Sequence, residues 1–242
     1  MEAYGPSLEG FAINSAGFRD REFEITKPPG LQRFVVLGDS ITAGNGVDDL
    51  SAVYAKRLES LINDEGSGPV EVFNLGVGGY NTLQQVETLR VKGLQYDPDV
   101  VIIGFCINDF SWEASPFVAL MDQLEPEQRK LLGEMQWQNR PWVNAMMSRS
   151  RLAMFTFANL QGMRGEQERS YNVDDFSIKG TDPVSMAMPL LSDLQTEHGF
   201  DCFLFIIPAF DDEFDRYGHG HIHQRVRDVA APYPNVHIVD LF

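Results

Sequence analysis

Cysteine is scarce: Cys106 and Cys202 are the two in 242 residues, which excludes a disulfide framework. Cys106 ends one strand-like run and Cys202 starts the next. In a parallel sheet that puts them at opposite sheet edges, too far apart to bridge, so both read as buried small hydrophobes. Basic residues are also few, 19 Lys and Arg against 35 Asp and Glu, for a formal charge of −16. That balance argues against a nucleic-acid or anionic-membrane surface, both of which favour Lys and Arg clusters. No apolar run reaches the roughly 18 residues that a membrane crossing needs. The first residues lack the basic start and apolar core of an export signal, and nothing else in the chain reports a compartment. Nucleotide-binding signatures fail too. There is no Gly-Lys-Ser/Thr loop, and Gly76-x-Gly78 has Asn81 where a third small residue is required.

What remains is a chain that can build a core. Hydrophobic residues make up 43% of it, 17 of them Phe, and 242 residues suit one α/β domain. Residues 1–30 are polar, end in Lys27-Pro28-Pro29-Gly30, and read as a lead-in on the domain surface. Strand-like runs then alternate with amphipathic stretches. Ser51 can cap a helix whose inner face carries Tyr54, Ala55, Leu58, Leu61 and Ile62. Leu83, Val86, Leu89 and Leu94 repeat the pattern until Asp97-Pro98. Asp182-Pro183 opens a third helix with Met186, Leu190, Leu191 and Leu194 inward, and Ile222, Val226 and Val229 mark a fourth. Five strands separated by such helices predict a three-layer α/β/α domain with a parallel sheet, spanning 31–242.

Three of the strands end in chemistry. Phe34-Val35-Val36-Leu37 closes with Gly38-Asp39-Ser40, which puts a hydroxyl beyond the carboxyl end of a buried strand, where open parallel sheets bind ligands. Val70–Leu75 runs into Gly76-Val77-Gly78-Gly79, and Val100–Phe105 into Cys106-Ile107-Asn108-Asp109. A serine, a glycine-rich backbone and an asparagine on neighbouring strand ends are the parts of an acyl-transfer site, a nucleophile with donors for the developing oxyanion. Asp39 and Asp109 read as structural, bonding their own turns.

These blocks, in this order, resemble the GDSL (SGNH) hydrolase family. Val35–Thr42 looks like its first block, Asn74–Gly79 its second and Cys106–Asp109 its third, with Cys106 where the family usually has glycine. Ile13–Asp20 is similar to a lead-in of bacterial members. The resemblance implies a flavodoxin-like strand order 2-1-3-4-5 and an ester hydrolase of esterase, lipase or deacetylase type. It implies Ser40 as nucleophile, Gly79 and Asn108 as oxyanion donors, no metal or organic cofactor, and a small-molecule or carbohydrate ester as substrate. Relatives are often exported or anchored. The alternatives are an O-acyltransferase and a binding domain that kept the pocket without catalysis.

The family's fourth block, Asp-x-x-His, which supplies the general base, occurs nowhere in the 242 residues. Its place follows the last strand, Val236–Val239, so the expectation is a sequence cut short before that block, with Asp240 just past the strand and too early to be the usual carboxylate. The chain as it stands is then expected to turn over esters poorly. His219, His221 and His223 form His-x-His-x-His, which reads as a helix start and only weakly as a zinc site or a replacement base. His198 and His237 read as surface or satisfied interior residues. Residues 111–180 are too long for a plain crossover and predict a helical insertion, with Val143, Met146, Met147, Met154 and Phe157 on one face completing the core or forming a lid.

Overall fold

The computed structural model describes residues 13–66, 68–110, 182–208 and 217–242. All belong to one of the chain's two compact units, Met1–Trp112 with Val173–Phe242. The insertion expected over 111–180, with its Met and Phe stripe, and the start of the lead-in lie outside the described residues.

Five parallel strands, β1 (Gln32–Gly38), β2 (Val70–Asn74), β3 (Val100–Phe105), β4 (Asp201–Ile206) and β5 (Val236–Asp240), lie in the order β2-β1-β3-β4-β5. The order reverses at β1, so a crevice opens beyond the ends of β1 and β3, where Gly38 pairs with Gly104 in the register. Alternate residues of each strand serve opposite faces. Val35 and Leu37 join a large core with Phe73, Val101, Ile103 and Leu204, while Val36, Val70, Val72 and Ile102 point to the other side.

Five α-helices stand among the described residues: α1 (Ser40–Ala43), α2 (Tyr54–Asp64), α3 (Thr82–Thr88), α4 (Pro183–His198) and α5 (Gly220–Ala230). Helix α2 covers the smaller core with Tyr54, Ala55, Leu58 and Ile62. Helices α3, α4 and α5 cover the larger one with Val86, Val184, Leu191, Ile222 and Val226. The three layers and the parallel sheet are as the sequence predicts.

Several local expectations need correction. Ser51 does not start α2. Asp49 caps a single tight turn, Leu50–Ala52, by accepting from the Ser51 N–H and hydroxyl, and α2 begins three residues later. Leu61 and Met186 sit on outward faces of their helices, and Ala187 and Met188 fill the core instead. Of the stripe from Leu83 to Leu94, Val86 and Leu89 are buried and the two ends half-buried against the core, but the helix widens at Leu89–Gly93 and tightens at Leu94–Tyr96, ending on Asp97 in the left-handed region. The cysteines lie on neighbouring strands, not at opposite edges. It is their places at opposite ends of β3 and β4 that keep them apart, and both thiols are free and buried. Burial pushes the Cys202 thiol up to about 12.

The largest correction concerns the lead-in, whose Phe18, Arg19 and Asp20 are buried. Asn14 closes it into a loop, accepting from the Phe18 N–H at 3.0 Å and donating to the Arg21 carbonyl at 2.8 Å. Asp20 then reaches the sheet, accepting from the Asn74 N–H at 2.8 Å and from Lys56 at 2.9 Å. A polar segment is interior here because each charge finds a partner.

Candidate active site

Ser40 is the first residue of α1, on the turn that leaves β1. Asp39 caps that turn, its Oδ1 accepting from the Ile41 N–H at 2.9 Å. The Ser40 side is partly exposed, and no described residue hydrogen-bonds its hydroxyl. The short helix is held from several directions. Asn74, at the end of β2, donates to the Thr42 carbonyl at 2.8 Å and accepts from the Gly76 N–H at 3.0 Å. The Thr42 hydroxyl meets Tyr54 at 2.8 Å. Arg19 spreads its guanidinium over the carbonyls of Gly44, Val47 and Asp48 just beyond the helix, a cation at the end where α1 leaves carbonyls unpaired.

The second glycine segment passes beside this turn. A side chain on Gly76 would meet the Ala43 backbone nitrogen at 2.5 Å, so the close approach of two backbones requires glycine there. Val77–Tyr80 is a hydrogen-bonded turn, 3.1 Å from the Tyr80 nitrogen to the Val77 carbonyl, with Gly79 at φ 80° in its third position. Of the three candidate glycines, Gly76 thus has a packing role. Gly78 lies against Ser40, its missing Cβ 3.8 Å from the Ser40 Cβ. Gly79 carries the left-handed backbone.

Asn108 follows β3 in a tight turn, Ile107–Phe110, and its side-chain amide donates to Asp39 Oδ2 at 3.3 Å. The Cys106 thiol lies 3.5 Å from Asp39 Oδ1. Asp39 is therefore not confined to its own turn, as the sequence reading had it. It ties the serine turn to the asparagine turn. Asp109 departs from that reading as well. It is fully buried and accepts from Thr82 at 3.1 Å, from Gln85 at 3.2 Å and from the Cys106 N–H at 3.4 Å, linking the β3 end to α3. Helix α3 is in turn anchored by a capping box, Asn81 with Gln84.

Burial pushes the Asp109 carboxyl well above the usual carboxylate range, and the Asp39 charge adds to it, against the hydrogen bonds from Thr82, Cys106 and Gln85. A raised carboxyl keeps its proton in the folded state where the unfolded chain has lost it. Its contribution to stability therefore falls as pH rises from about 4 through the folded-state pKa. Asp109→Asn removes that titration. The melting temperature of the variant minus that of the parent is expected to climb between pH 4 and 8. A flat difference in scanning calorimetry would show that Asp109 titrates normally.

Histidines behave unlike a metal cluster. His219 precedes α5, His221 is exposed, and His223 is buried against β5. Its Nδ1 meets Asp240 at 2.9 Å and its Nε2 meets the Tyr217 hydroxyl at 2.6 Å. Asp240 is the last residue of β5, not a residue beyond it, and also pairs with Arg227. Its partial burial raises the carboxyl, but the His223 and Phe242 hydrogen bonds, the His223 charge and Arg227 together bring it below the usual range. With both ring nitrogens engaged, His223 fastens α5 to β5. The pairing escaped sequence reasoning because 17 positions separate the partners. His198 and His237 are exposed. No helix among the described residues is long and apolar enough to cross a membrane.

The family model for the GDSL-like Lipase/Acylhydrolase family matches residues 36–172, more than half of the chain. The chain belongs to that family. Solved structures to which the chain is similar include a lipase/acylhydrolase from Enterococcus faecalis, at 20% identity and a TM-score of 0.46 over 87% of this chain and 76% of that one. TesA aligns at 18% identity and 0.44, over 83% and 74%. The acetyl xylan esterase AlAXEase aligns at 15% and 0.45, over 86% and 77%. No curated protein sequence matches the chain. The GDSL-like match begins at Val36, so it takes in the serine turn, the glycine segment and the asparagine turn together.

Proposed function

We propose that this GDSL-family protein cleaves carboxylic esters through an acyl-enzyme on Ser40. The observation that carries the reading is the cross-link at the crevice, where Asp39 joins the Ser40 turn to Asn108 across the β1 and β3 ends. In the reaction the Ser40 oxygen attacks the ester carbonyl, the alkoxide rests on the Ser40 and Gly79 N–H groups and the Asn108 amide, and the alcohol leaves. The serine proton passes to a base and from it to the departing alcohol oxygen, and water then attacks the acyl-enzyme, releasing the acid and restoring the hydroxyl. Neither a metal nor an organic cofactor is needed for these steps. Small-molecule or carbohydrate esters are the substrate class, in line with the acyl and esterase activities that name the family and its neighbours.

The test is direct detection of the intermediate. The protein is incubated with p-nitrophenyl acetate, with and without added imidazole as an external base, and digested for mass spectrometry. One acetyl group on the peptide carrying Ser40 is the expected product in at least one arm. Acetylation that needs imidazole would show that the chain does not provide the base itself. If Ser40 stays unmodified in both arms, the acyl-enzyme reading fails.

A further inference from the structure

We propose that Asp39 is a positioning residue that decides which atom of the Asn108 amide faces the ester, an inference that rests on the acyl-enzyme reading above. A side-chain amide fits its site in two orientations of almost equal shape, with NH2 and oxygen exchanged, and only its partners choose between them. Here the partner is a buried carboxylate whose two oxygens are divided. Oδ1 accepts from the Ile41 N–H at 2.9 Å and lies 3.5 Å from the Cys106 thiol, whereas Oδ2 accepts from Asn108 Nδ2 at 3.3 Å.

An ionised carboxylate only accepts, so Asn108 must turn its NH2 group toward Asp39. One N–H is used in that bond, and the second is the donor for the oxyanion. With the amide turned over, a carbonyl oxygen would confront the developing negative charge. Cys106 takes part by occupying the side of Oδ1, which leaves Oδ2 for the asparagine. The first and third sequence blocks thus depend on each other through one side chain.

Asp39→Asn separates this role from support of the fold. Its carbonyl oxygen can keep the Ile41 and Cys106 partners, while its new NH2 group takes the Oδ2 position and faces the Asn108 NH2. The Asn108 amide then relaxes by turning over. The acetylation rate of Ser40 is expected to fall about 10²-fold or more, to the level of Asn108→Ala, because an oxyanion donor is lost in both. The half-saturating ester concentration should change little, and so should the melting temperature, since the helix cap remains. The double variant should be no slower than either single one.

A merely structural Asp39 would lower the melting temperature and leave the rate per folded molecule intact, which would overturn the proposal. Ser40→Ala distinguishes the two failures. If it reacts like the parent, the acyl-enzyme reading is at fault. If it is inert while Asp39→Asn matches the parent, the positioning role is. A second measurement does not need turnover: the side-chain amide resonances of Asn108, assigned by their loss in Asn108→Ala. They should move markedly in Asp39→Asn, and unmoved resonances would overturn the inference whatever the kinetics.

Discussion

Replacing Ser40 by alanine is expected to reduce p-nitrophenolate release to that of buffer and imidazole alone, a loss of at least about 10³-fold in protein-dependent rate. On the acyl-enzyme reading the nucleophile cannot be bypassed, because the Ser40 hydroxyl is the atom that takes the acyl group, on the turn just beyond β1. Asn108→Ala should be milder and of a different kind. On the proposed mechanism its amide acts only as charge develops on the carbonyl oxygen, so the loss, about 10²–10³-fold or about 3–4 kcal/mol, should fall on the rate and not on ester binding. Stopped-flow absorbance at saturating and limiting ester separates the two. A variant of Asn108 that weakens binding alone would place the oxyanion elsewhere.

Asp20→Ala is expected to cost about 3 kcal/mol, the low end for breaking a buried ion pair, because Glu59 still faces Lys56 at 3.3 Å. For a domain of this size that is a fall of roughly 6–12 °C in melting temperature. Three groups lose a partner in the variant, the Lys56 ammonium and the N–H groups of Asn74 and Arg21. Adding Lys56→Met removes a buried charge that has lost its nearer carboxylate and should restore part of the stability, whereas Lys56→Met alone takes the cation from Asp20 and should destabilise. Thermal melts of the four proteins complete the cycle. The effect reaches the site as well, because Asn74 holds the carbonyl of Thr42 within the serine helix.

The sheet was legible because its strands are short apolar runs, and the central pair, β1 and β3, is buried on both faces over most of its length. The helix stripes were legible wherever every turn faces the core. Reading failed where local pattern and position in the layer part company. Leu61 and Met186 continue their stripes in sequence but rotate out to solvent. Asp49 takes the cap that Ser51 was expected to provide, since the Asp49 carboxylate accepts from both donors of Ser51.

Buried charges were the least legible feature. Arg19, Asp20 and Lys56 have the composition of a surface, and the segment that carries two of them was read as one. Arg19 bonds backbone carbonyls 24 to 29 positions away, and Asp20 bonds the Lys56 ammonium and an N–H group 54 positions away, which no periodicity announces. The same holds for Asp39 with Asn108 and His223 with Asp240.

By itself the sequence determined the layer order of the domain, its five strands and the serine, glycine and asparagine carried on three of their ends. Apolar period and turn chemistry are local properties, written in adjacent residues. Only the tertiary structure decided which polar groups meet: that Asp39 spans two turns, that the lead-in is a brace for the serine helix, and that His223 is committed to Asp240 and Tyr217. A hydrogen bond depends on distance in space, and the chain becomes close to itself there only after the sheet has formed.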